Sequence, residues 1–546
     1  MPSNPILKRE LKTLLRARVT FGLAVVYLVL LAALVWWMWP REGIFSLAAQ
    51  ASRSIVLVFT MTQLLLVILY APAFAASALT SEREQNTFEL LFASLLRPRQ
   101  IVVGKLWSSI LCLLLFVVLS LPLFATCFFL GAVSVRETVV IYLVTVASAV
   151  VFGLLGLSVS AVRSTSHGAL ITTYLLILLI CGLPWLPYLL LKGQPWADVM
   201  VQQVQGLSPL AALASILVPS LESTAAWRTY LVFAAWLSAV MVVFLLVAVY
   251  RRSSRPDRPH GGAIDDPREL MKRKLRFPFY LIDPMRRKKN IADWVNPVFA
   301  KEMRSKAFGG GIWVFRGAYI CFGVSMLLMA LVAGNLVGQT PDVIRTVALV
   351  FQLGLVVLIV PSLTAGAITQ ERERNNLDLF RMSRLQAGQV IKGKLIVAAV
   401  FVLFLVVGSA PAWYVIYYLG TNTAQEILIC WAIIGATMLL AMLTGLAASA
   451  VALRTPTATA LAYGLMFAIG LGTLLPLLAG EQLTANARAW LFAANPFASA
   501  IQVLTAEFFA DLPELWRTHL RLSIAGSAAL LLLAYLRVRR MLLPDR

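Results

Sequence analysis

Residues 63–84 read QLLLVILYAPAFAASALTSERE, and residues 352–373 read QLGLVVLIVPSLTAGAITQERE. The two stretches share an opening glutamine, a proline inside the apolar run and a closing Glu-Arg-Glu, at a constant offset of 289. The match continues without a gap from residues 63–162 to residues 352–451, and charged and helix-breaking residues keep their register. Hydrophobic composition alone would not produce this agreement. The sequence therefore predicts two equivalent halves in one chain.

Hydrophobic residues make up 60% of the chain and charged residues only 13%. Many apolar runs exceed the roughly 18 residues that mark a membrane-spanning helix. The sequence therefore predicts an all-α polytopic membrane protein with about 12 transmembrane helices in two parallel six-helix repeats. The predicted domains are a first repeat at residues 1–250, a basic linker at 251–295 and a second repeat at 296–546. The predicted spans are 20–39, 55–79, 106–131, 138–162, 168–191 and 229–250, then 314–334, 346–368, 395–420, 427–453, 457–480 and 518–537.

The positions of the 47 Lys and Arg residues predict the orientation, because basic flanks resist translocation. If both termini and the 251–295 linker are cytoplasmic, most basic residues lie inside the cell. The exceptions are Arg41, Arg53, Arg136, Lys192, Arg228, Arg345, Arg488, Arg517 and Arg521. We therefore expect a multi-pass protein of the cell inner membrane. Topology and contact with anionic membrane lipids account for the net charge of +22, so no nucleic-acid partner is expected.

Three kinds of short helix are predicted outside the spans. Residues 3–18 form a basic amphipathic segment, expected at the cytoplasmic interface. Ser208-Pro209 and Asn495-Pro496 each have the pattern of an N-cap followed by proline, which predicts short helices on the outer face. The third lies between the second and third spans, where Ser81 and Glu84 have the spacing of a capping box and Pro98 ends the segment.

The apolar stripe of this third helix consists of Phe88, Leu91, Phe92 and Leu95. Spacing of i, i+3, i+4 and i+7 places these residues on one helical face. Such a helix can dock in the groove of a partner or lie on the membrane. In the second half Arg381 and Arg384 occupy two of the stripe positions, so the apolar face is weaker there.

Three elements recur in both halves: Asn-Pro-x-x-x-Lys/Arg-Glu, then Glu-Arg-Glu-x-Asn before an apolar helix, then Gly-Lys at the next span. Together they resemble the type-2 permease class of ABC exporters, over essentially the whole chain and twice. The resemblance implies a permease that couples ATP hydrolysis by separate ATP-binding subunits, in two copies, to substrate translocation. The cytoplasmic helix after the second span of each half would be the coupling helix that contacts those subunits. The contacts implied by position are Glu82, Glu84, Phe88, Glu89 and Leu91, and in the second half Glu371, Glu373, Leu377, Asp378 and Phe380.

Residues 388–395 match Gly-x-x-x-x-Gly-Lys, but Leu395 replaces the Ser or Thr that would bind Mg²⁺, and no buried strand precedes the match. We therefore predict a transport subunit that is not an enzyme and binds no cofactor, with ATP and Mg²⁺ bound by a partner subunit. The predicted span cores contain no Asp, Glu or Lys, which disfavours ion-coupled transport. The five cysteines and three histidines lack metal-ligand spacing, so no metal site is expected.

Some polar and helix-bending residues recur at matching positions inside the spans, and they are candidate pathway or hinge residues: Gln63 with Gln352, Pro72 with Pro361, and Pro122 with Pro411. Helix packing with internally satisfied amides explains the same residues.

Two other functions stay open: a non-transporting membrane scaffold that recruits a cytoplasmic partner, and a secondary transporter. The sequence leaves the cargo open among lipids, drugs, glycans and peptides.

Overall fold

The structure is a computed structural model of the chain. It describes residues 5–16, 18–38, 48–84, 98–128, 133–163, 165–185, 187, 198–218, 226–253, 271, 295–304, 322–323, 326, 341–373, 376–383, 385–408, 424–474, 485–504, 509 and 512–542. Within these ranges every regular element is a helix. Most of the predicted 251–295 linker lies outside them.

The chain divides into two compact units. The first comprises Met1–Pro256 together with Leu471–Leu491. The helices of the first half of the chain are α1 (Pro5–Arg16), α2 (Arg18–Met38), α3 (Ala48–Ala75), α4 (Thr80–Glu84), α5 (Pro98–Leu119), α6 (Leu121–Phe128), α7 (Val135–Val162), α8 (Ser166–Gly182), α9 (Asp198–Gln205), α10 (Pro209–Leu217) and α11 (Ala226–Ser253).

The second unit comprises Asp257–Gly470 together with Phe492–Arg546. The helices of the second half of the chain are α12 (Pro297–Arg304), α13 (Pro341–Ala365), α14 (Thr369–Glu373), α15 (Leu377–Met382), α16 (Ala387–Gly408), α17 (Ala424–Val451), α18 (Thr455–Gly470), α19 (Ala485–Ala494), α20 (Pro496–Leu504) and α21 (Leu515–Leu542). Adding 289 to the bounds of α4, α5, α7 and α11 gives the bounds of α14, α16, α17 and α21. The repeat therefore extends to the last helix of each half, beyond the stretch that the sequence match covers.

Ten helices in the described residues are long and apolar enough to cross a membrane, and each corresponds to a predicted span. The predicted span at 168–191 is the shorter α8, with 17 residues. The predicted span at 314–334 lies outside the described residues except for 322, 323 and 326. The all-α, multi-pass membrane fold is confirmed, whereas the count of about 12 spans stays a prediction.

Proline sets the start of several helices, because its missing N–H is not needed in the first turn. The helices that begin with proline are α1, α5, α10, α12, α13 and α20. Both predicted Pro-initiated short helices are therefore confirmed as α10 and α20, whereas their place on the outer face stays a prediction. Asn495 caps α20 by accepting from the backbone N–H of Phe497 at 2.7 Å. Ser208 does not cap α10 in this way, because its hydroxyl donates to the Cys181 carbonyl at 2.8 Å.

Contacts at both helix ends give the direction of each helix in the first unit. Arg53 near the start of α3 pairs with Glu137 at the start of α7, and Ser160 near the end of α7 contacts the backbone after α3. These two helices are therefore parallel. Lys105, near the start of α5, contacts the Ala78 carbonyl just after α3, so α5 runs the opposite way. We call the end of this unit that contains α4 the α4 end, and its counterpart in the second unit the α14 end.

The centre of the first unit is apolar. Its core includes Tyr27, Phe59, Phe116 and Phe152, all essentially buried. The second unit has an equivalent core around Leu349, Val356 and Ile433. In contrast, α2 and α11 expose most of their apolar surface, as expected for helices that face lipid.

Candidate functional site

A buried lysine joins three elements at the α4 end. The Lys105 ammonium lies 2.8 Å from Glu82 of α4 and 3.3 Å from Glu10 of α1, and it donates to the Ala78 carbonyl at 2.7 Å. The Lys105 side chain is only 3% exposed. A buried ammonium is tolerated when paired charges and hydrogen bonds replace its hydration. The cluster therefore fixes α1, α4 and α5 to one another.

The same cluster recurs at the α14 end with one added cation. Lys394 lies 2.6 Å from Glu302 of α12 and 3.3 Å from Glu371 of α14. The Glu371 carboxylate also pairs with Lys301 at 2.8 Å and accepts from the Asn376 side chain at 2.9 Å. Both carboxylates and the Lys394 ammonium are largely buried, which strengthens their mutual attraction relative to a surface pair.

The second glutamate of each Glu-Arg-Glu binds the first residue of a distant helix. Glu84 accepts from the backbone N–H of Ser166 at 2.8 Å and from its hydroxyl at 2.7 Å, at the first residue of α8. Glu373 accepts from the N–H and hydroxyl of Thr455 at 2.7 and 2.8 Å, at the first residue of α18. A carboxylate at a helix N-terminus satisfies an unpaired N–H and complements the positive end of the helix dipole.

The arginine between the two glutamates binds the end of a third helix. Arg83 donates to the Arg163 carbonyl at 2.6 Å, just beyond the end of α7. Its counterpart Arg372 donates to the Ala452 carbonyl at 2.7 Å, just beyond the end of α17. The carbonyls at a helix C-terminus carry partial negative charge and attract a cation. Each residue of Glu-Arg-Glu thus holds a different helix, and both units repeat the arrangement.

A serine hydroxyl closes the turn before each Glu-Arg-Glu. The Ser160 hydroxyl accepts from the backbone N–H groups of Leu79 and Thr80, at 3.0 and 3.1 Å. The Ser449 hydroxyl accepts from Ile368 and Thr369 at 2.8 and 3.1 Å. The turn between α3 and α4 is therefore anchored to α7, and the turn between α13 and α14 is anchored to α17.

The predicted capping box of Ser81 and Glu84 is wrong. Ser81 lies inside α4, and the Glu84 carboxylate binds Ser166 instead. A capping box forms elsewhere, between Ser134 and Glu137 at the start of α7. Pro98, predicted to end the preceding segment, is the first residue of α5.

The contact residues implied by the resemblance have different environments. Glu82, Glu84, Glu371 and Glu373 all bind side chains of their own unit, as described above. Phe88, Glu89 and Leu91 lie outside the described residues. Phe380 of α15 is buried against the unit core, and Leu377 is partly buried there. Asp378 is exposed and lies 3.4 Å from Arg381.

The outward side of α15 carries two large apolar side chains beside charged ones. Leu379 is 66% exposed and Met382 is 84% exposed, next to Asp378. Arg381, on the same helix, donates to the Met541 carbonyl at 2.9 Å and ties α15 to the end of α21. The helix therefore turns Phe380 into its own unit and presents Leu379 and Met382 outward.

The candidate hinge residues lie within membrane-spanning helices. Pro72 is inside α3 and Pro361 is inside α13. The Tyr174 hydroxyl of α8 donates to the Leu69 carbonyl, one turn before Pro72, at 2.8 Å. In the second unit the Tyr463 hydroxyl donates at 2.6 Å to the Leu358 carbonyl. Proline disrupts the backbone hydrogen bonds of the preceding turn, and groups on neighbouring helices can replace them.

The two candidate glutamines are both buried. Gln63 donates to the Ser120 hydroxyl at 2.8 Å, at the break between α5 and α6, and Pro122 follows in α6. Gln352 has no hydrogen-bond partner for either amide atom among the described residues. In the sequence repeat Ser409 corresponds to Ser120, but Ser409 and Pro411 lie outside those residues.

Sequence reasoning missed the partners of the glutamates, which are Lys105 and Lys394 for the first glutamate of each segment and Ser166 and Thr455 for the second. It also missed the pairing of the two lysines with Glu10 and Glu302. The available signal was that the lysines recur at the common offset and that a glutamate follows the Asn-Pro element in both halves.

In the part of the chain that the structure describes, no group of three His, Cys, Asp or Glu side chains could hold a metal ion. No protein-family model matches the chain, and no curated protein is significantly similar to it.

Proposed function

We propose that this chain is the membrane-spanning permease subunit of an ATP-driven ABC exporter. Separate ATP-binding subunits, in two copies, hydrolyse ATP and drive substrate translocation through the chain. The observation that carries the proposal is the paired Glu-Arg-Glu arrangement. In each unit this short segment is bonded to three other helices, which are α5, α7 and α8 in the first unit and α16, α17 and α18 in the second. A force applied to that segment would move several helices together.

The geometry supports a division of labour within the coupling segments. The four glutamates transmit motion, because their carboxylates bind lysines and helix N-termini inside their own unit. The outward Leu379 and Met382 of α15 supply the contact with the ATP-binding subunit. This assignment moves the direct contact in the second half from Phe380 to its exposed neighbours.

The test is ATP hydrolysis by the complex. The full chain, affinity-tagged and purified from its native membranes, should carry an ATPase whose activity rises when the complex is reconstituted into lipid. Leu379→Ser combined with Met382→Ser should lower the stimulated activity at least several-fold without changing the thermal midpoint of the chain. The matched control is Leu428→Ser, since Leu428 is also 70% exposed but lies at the opposite end of its unit.

Three results would count against the proposal. A chain that carries no ATPase activity would refute it. A partner that co-purifies without ATP hydrolysis would favour a membrane scaffold. Full stimulation in the Leu379 and Met382 variant would refute the assigned contact while leaving the exporter function standing.

A further inference from the structure

Every charged side chain that α1 exposes fully is basic. Lys8, Arg9, Lys12 and Arg16 are exposed along the helix. The single acidic residue of α1, Glu10, points the other way and pairs with the buried Lys105. Ile6 is also buried on the inner side. The helix therefore separates its charges, with the carboxylate turned inward and the cations outward.

The chain places this basic face at the level of lipid headgroups. Only one residue separates α1 from α2, which has 21 residues. At 1.5 Å per residue α2 is about 30 Å long, the thickness of the hydrocarbon core of a bilayer. The side of α2 that includes Phe21 and Val29 is exposed from its first turns, and exposed Trp36 and Trp37 lie at its far end, where aromatic residues favour the opposite interface. The start of α2, and α1 with it, is thereby held at one membrane surface.

The corresponding helix of the second half keeps only part of this basic pattern. The position of Lys8 is taken there by Ala300, which is buried, and the position of Arg9 by Lys301, which pairs with Glu371. Arg304 takes the position of Lys12. The cations of α1 are therefore only partly repeated in the second half.

We propose that the basic face of α1, formed by Lys8, Arg9, Lys12 and Arg16, binds the headgroups of anionic phospholipids. Basic side chains at a membrane surface each gain favourable energy from anionic lipids. Because α1 also carries Glu10, lipid binding presses α1 against α5 and supports the contact of Glu10 with Lys105. The binding follows from charge and position, so it does not depend on the function proposed above.

The test uses the purified full chain in detergent with dioleoyl phosphatidylglycerol and dioleoyl phosphatidylcholine added in equal amounts. Bound lipids are counted by native mass spectrometry as the lipid concentration rises. The wild-type chain should retain phosphatidylglycerol in preference to phosphatidylcholine. Lys8→Gln combined with Lys12→Gln should weaken the tightest phosphatidylglycerol binding by about thirty-fold, about five-fold for each charge removed.

The matched control is Arg136→Gln combined with Arg228→Gln. It removes the same charge from exposed residues at the opposite end of the same unit and should leave the tight binding unchanged. Equal loss in both variants would show that the lipid responds only to net charge and would overturn the proposal. Unchanged binding in the Lys8 and Lys12 variant would also overturn it. If that variant instead lost a co-purifying acidic protein, the face would be a protein-docking surface and not a lipid site.

Discussion

At the scale of single residues, the position of the Glu-Arg-Glu glutamates could be predicted from the sequence, but their binding partners could not. Their repetition marked the right segment, and four of them occupy equivalent positions in both units. The direction in which the carboxylates point could not be predicted. It depends on which side of the following helix carries the lysine, 23 residues later in the chain. The structure turns the carboxylates of Glu82 and Glu371 inward, onto Lys105 and Lys394.

The buried lysines lead to a prediction about stability. Lys394→Met leaves Glu302 and Glu371 without their shared cation in a largely buried site. Removal of one partner from a buried ion pair costs about 3–5 kcal/mol, because the remaining charge loses its compensation. We expect the free energy of unfolding to fall by about that amount, because Glu302 loses its ion pair with Lys394, whereas Lys301 still pairs with Glu371. The measurement is reversible unfolding of the purified chain in mixed micelles.

The control is Lys392→Met on the same helix. Lys392 is exposed, and surface substitutions usually stay within about 0.5 kcal/mol. A double-mutant cycle of Lys394→Met with Glu302→Gln isolates the pair. The combined variant should be less destabilised than the sum of the single ones. Strict additivity would mean that these two side chains do not interact.

At the scale of helices, the sequence predicted the spans well and the coupling segment poorly. Long apolar runs bounded by charge and proline define the spans regardless of their neighbours. The segment after the second span was predicted as one amphipathic helix. In the second unit the structure describes two helices, α14, which ends at Glu373, and α15, which begins at Leu377, while residues 374 and 375 lie outside the described ranges. The Glu371 carboxylate of α14 binds Lys394 and Lys301 from other helices, and a local helical pattern does not predict these contacts.

Close packing of α13 against α17 depends on a repeated glycine. A Cβ at Gly445 would approach the Pro361 carbonyl oxygen to 2.5 Å and the Ala365 nitrogen to 3.1 Å. Backbone atoms cannot move aside cheaply, so Gly445→Ala should destabilise the second unit by roughly 1–3 kcal/mol. Gly435→Ala on the same helix meets nothing within 4 Å. It should be neutral or stabilising by up to about 1 kcal/mol, because alanine favours helix.

Both glycine variants are compared by their thermal midpoints in the same detergent. Equal midpoints for the two would show that α13 and α17 pack less closely than the structure indicates. In the first unit, a Cβ added at Gly156 would lie 2.9 Å from the Cβ of Ala75. Gly156→Ala should therefore also lower the midpoint.

The prolines inside α3 and α13 lead to a prediction about the tyrosines that contact the backbone beside them, Tyr174 and Tyr463. Tyr174→Phe keeps the ring but removes the donor to the Leu69 carbonyl. We expect a loss of about 1 kcal/mol and faster amide hydrogen exchange in the turn that contains Pro72, because that turn loses an external hydrogen bond. Hydrogen exchange with mass spectrometry on the reconstituted chain measures the change. Tyr463→Phe should do the same near Pro361.

The control for the tyrosines is Tyr230→Phe. The Tyr230 hydroxyl lies 2.7 Å from the Ser148 hydroxyl and contacts a side chain of α7 rather than a kinked backbone. Its loss should affect stability by a similar amount but leave exchange near Pro72 unchanged. If all three variants altered exchange alike, the tyrosines would not act on the kinks specifically.

At the scale of the whole molecule, the repeat supplies the strongest argument for a shared mechanism. Helix bounds, ion pairs, helix caps and tyrosine contacts recur at the same offset in both units. Two of the differences lie at buried contacts. Lys301 adds a cation to the cluster of the second unit, and His519 stands where the first unit has Tyr230. Neither difference could be singled out from the sequence, because its importance depends on neighbours that come from other helices.

Orientation in the membrane can be tested along a single helix. α7 has 28 residues and is about 42 Å long, so its two ends lie on opposite sides of a bilayer. Arg136 near its start and Arg163 just after its end are both exposed. Basic residues concentrate at the α4 end, which the positive-inside rule assigns to the cytoplasm. With the native cysteines replaced, Arg136→Cys should react with a membrane-impermeant maleimide in intact cells, and Arg163→Cys only after permeabilisation. The reverse pattern would place α1 and the Glu-Arg-Glu segments outside the cell, where no ATP-binding subunit could reach them.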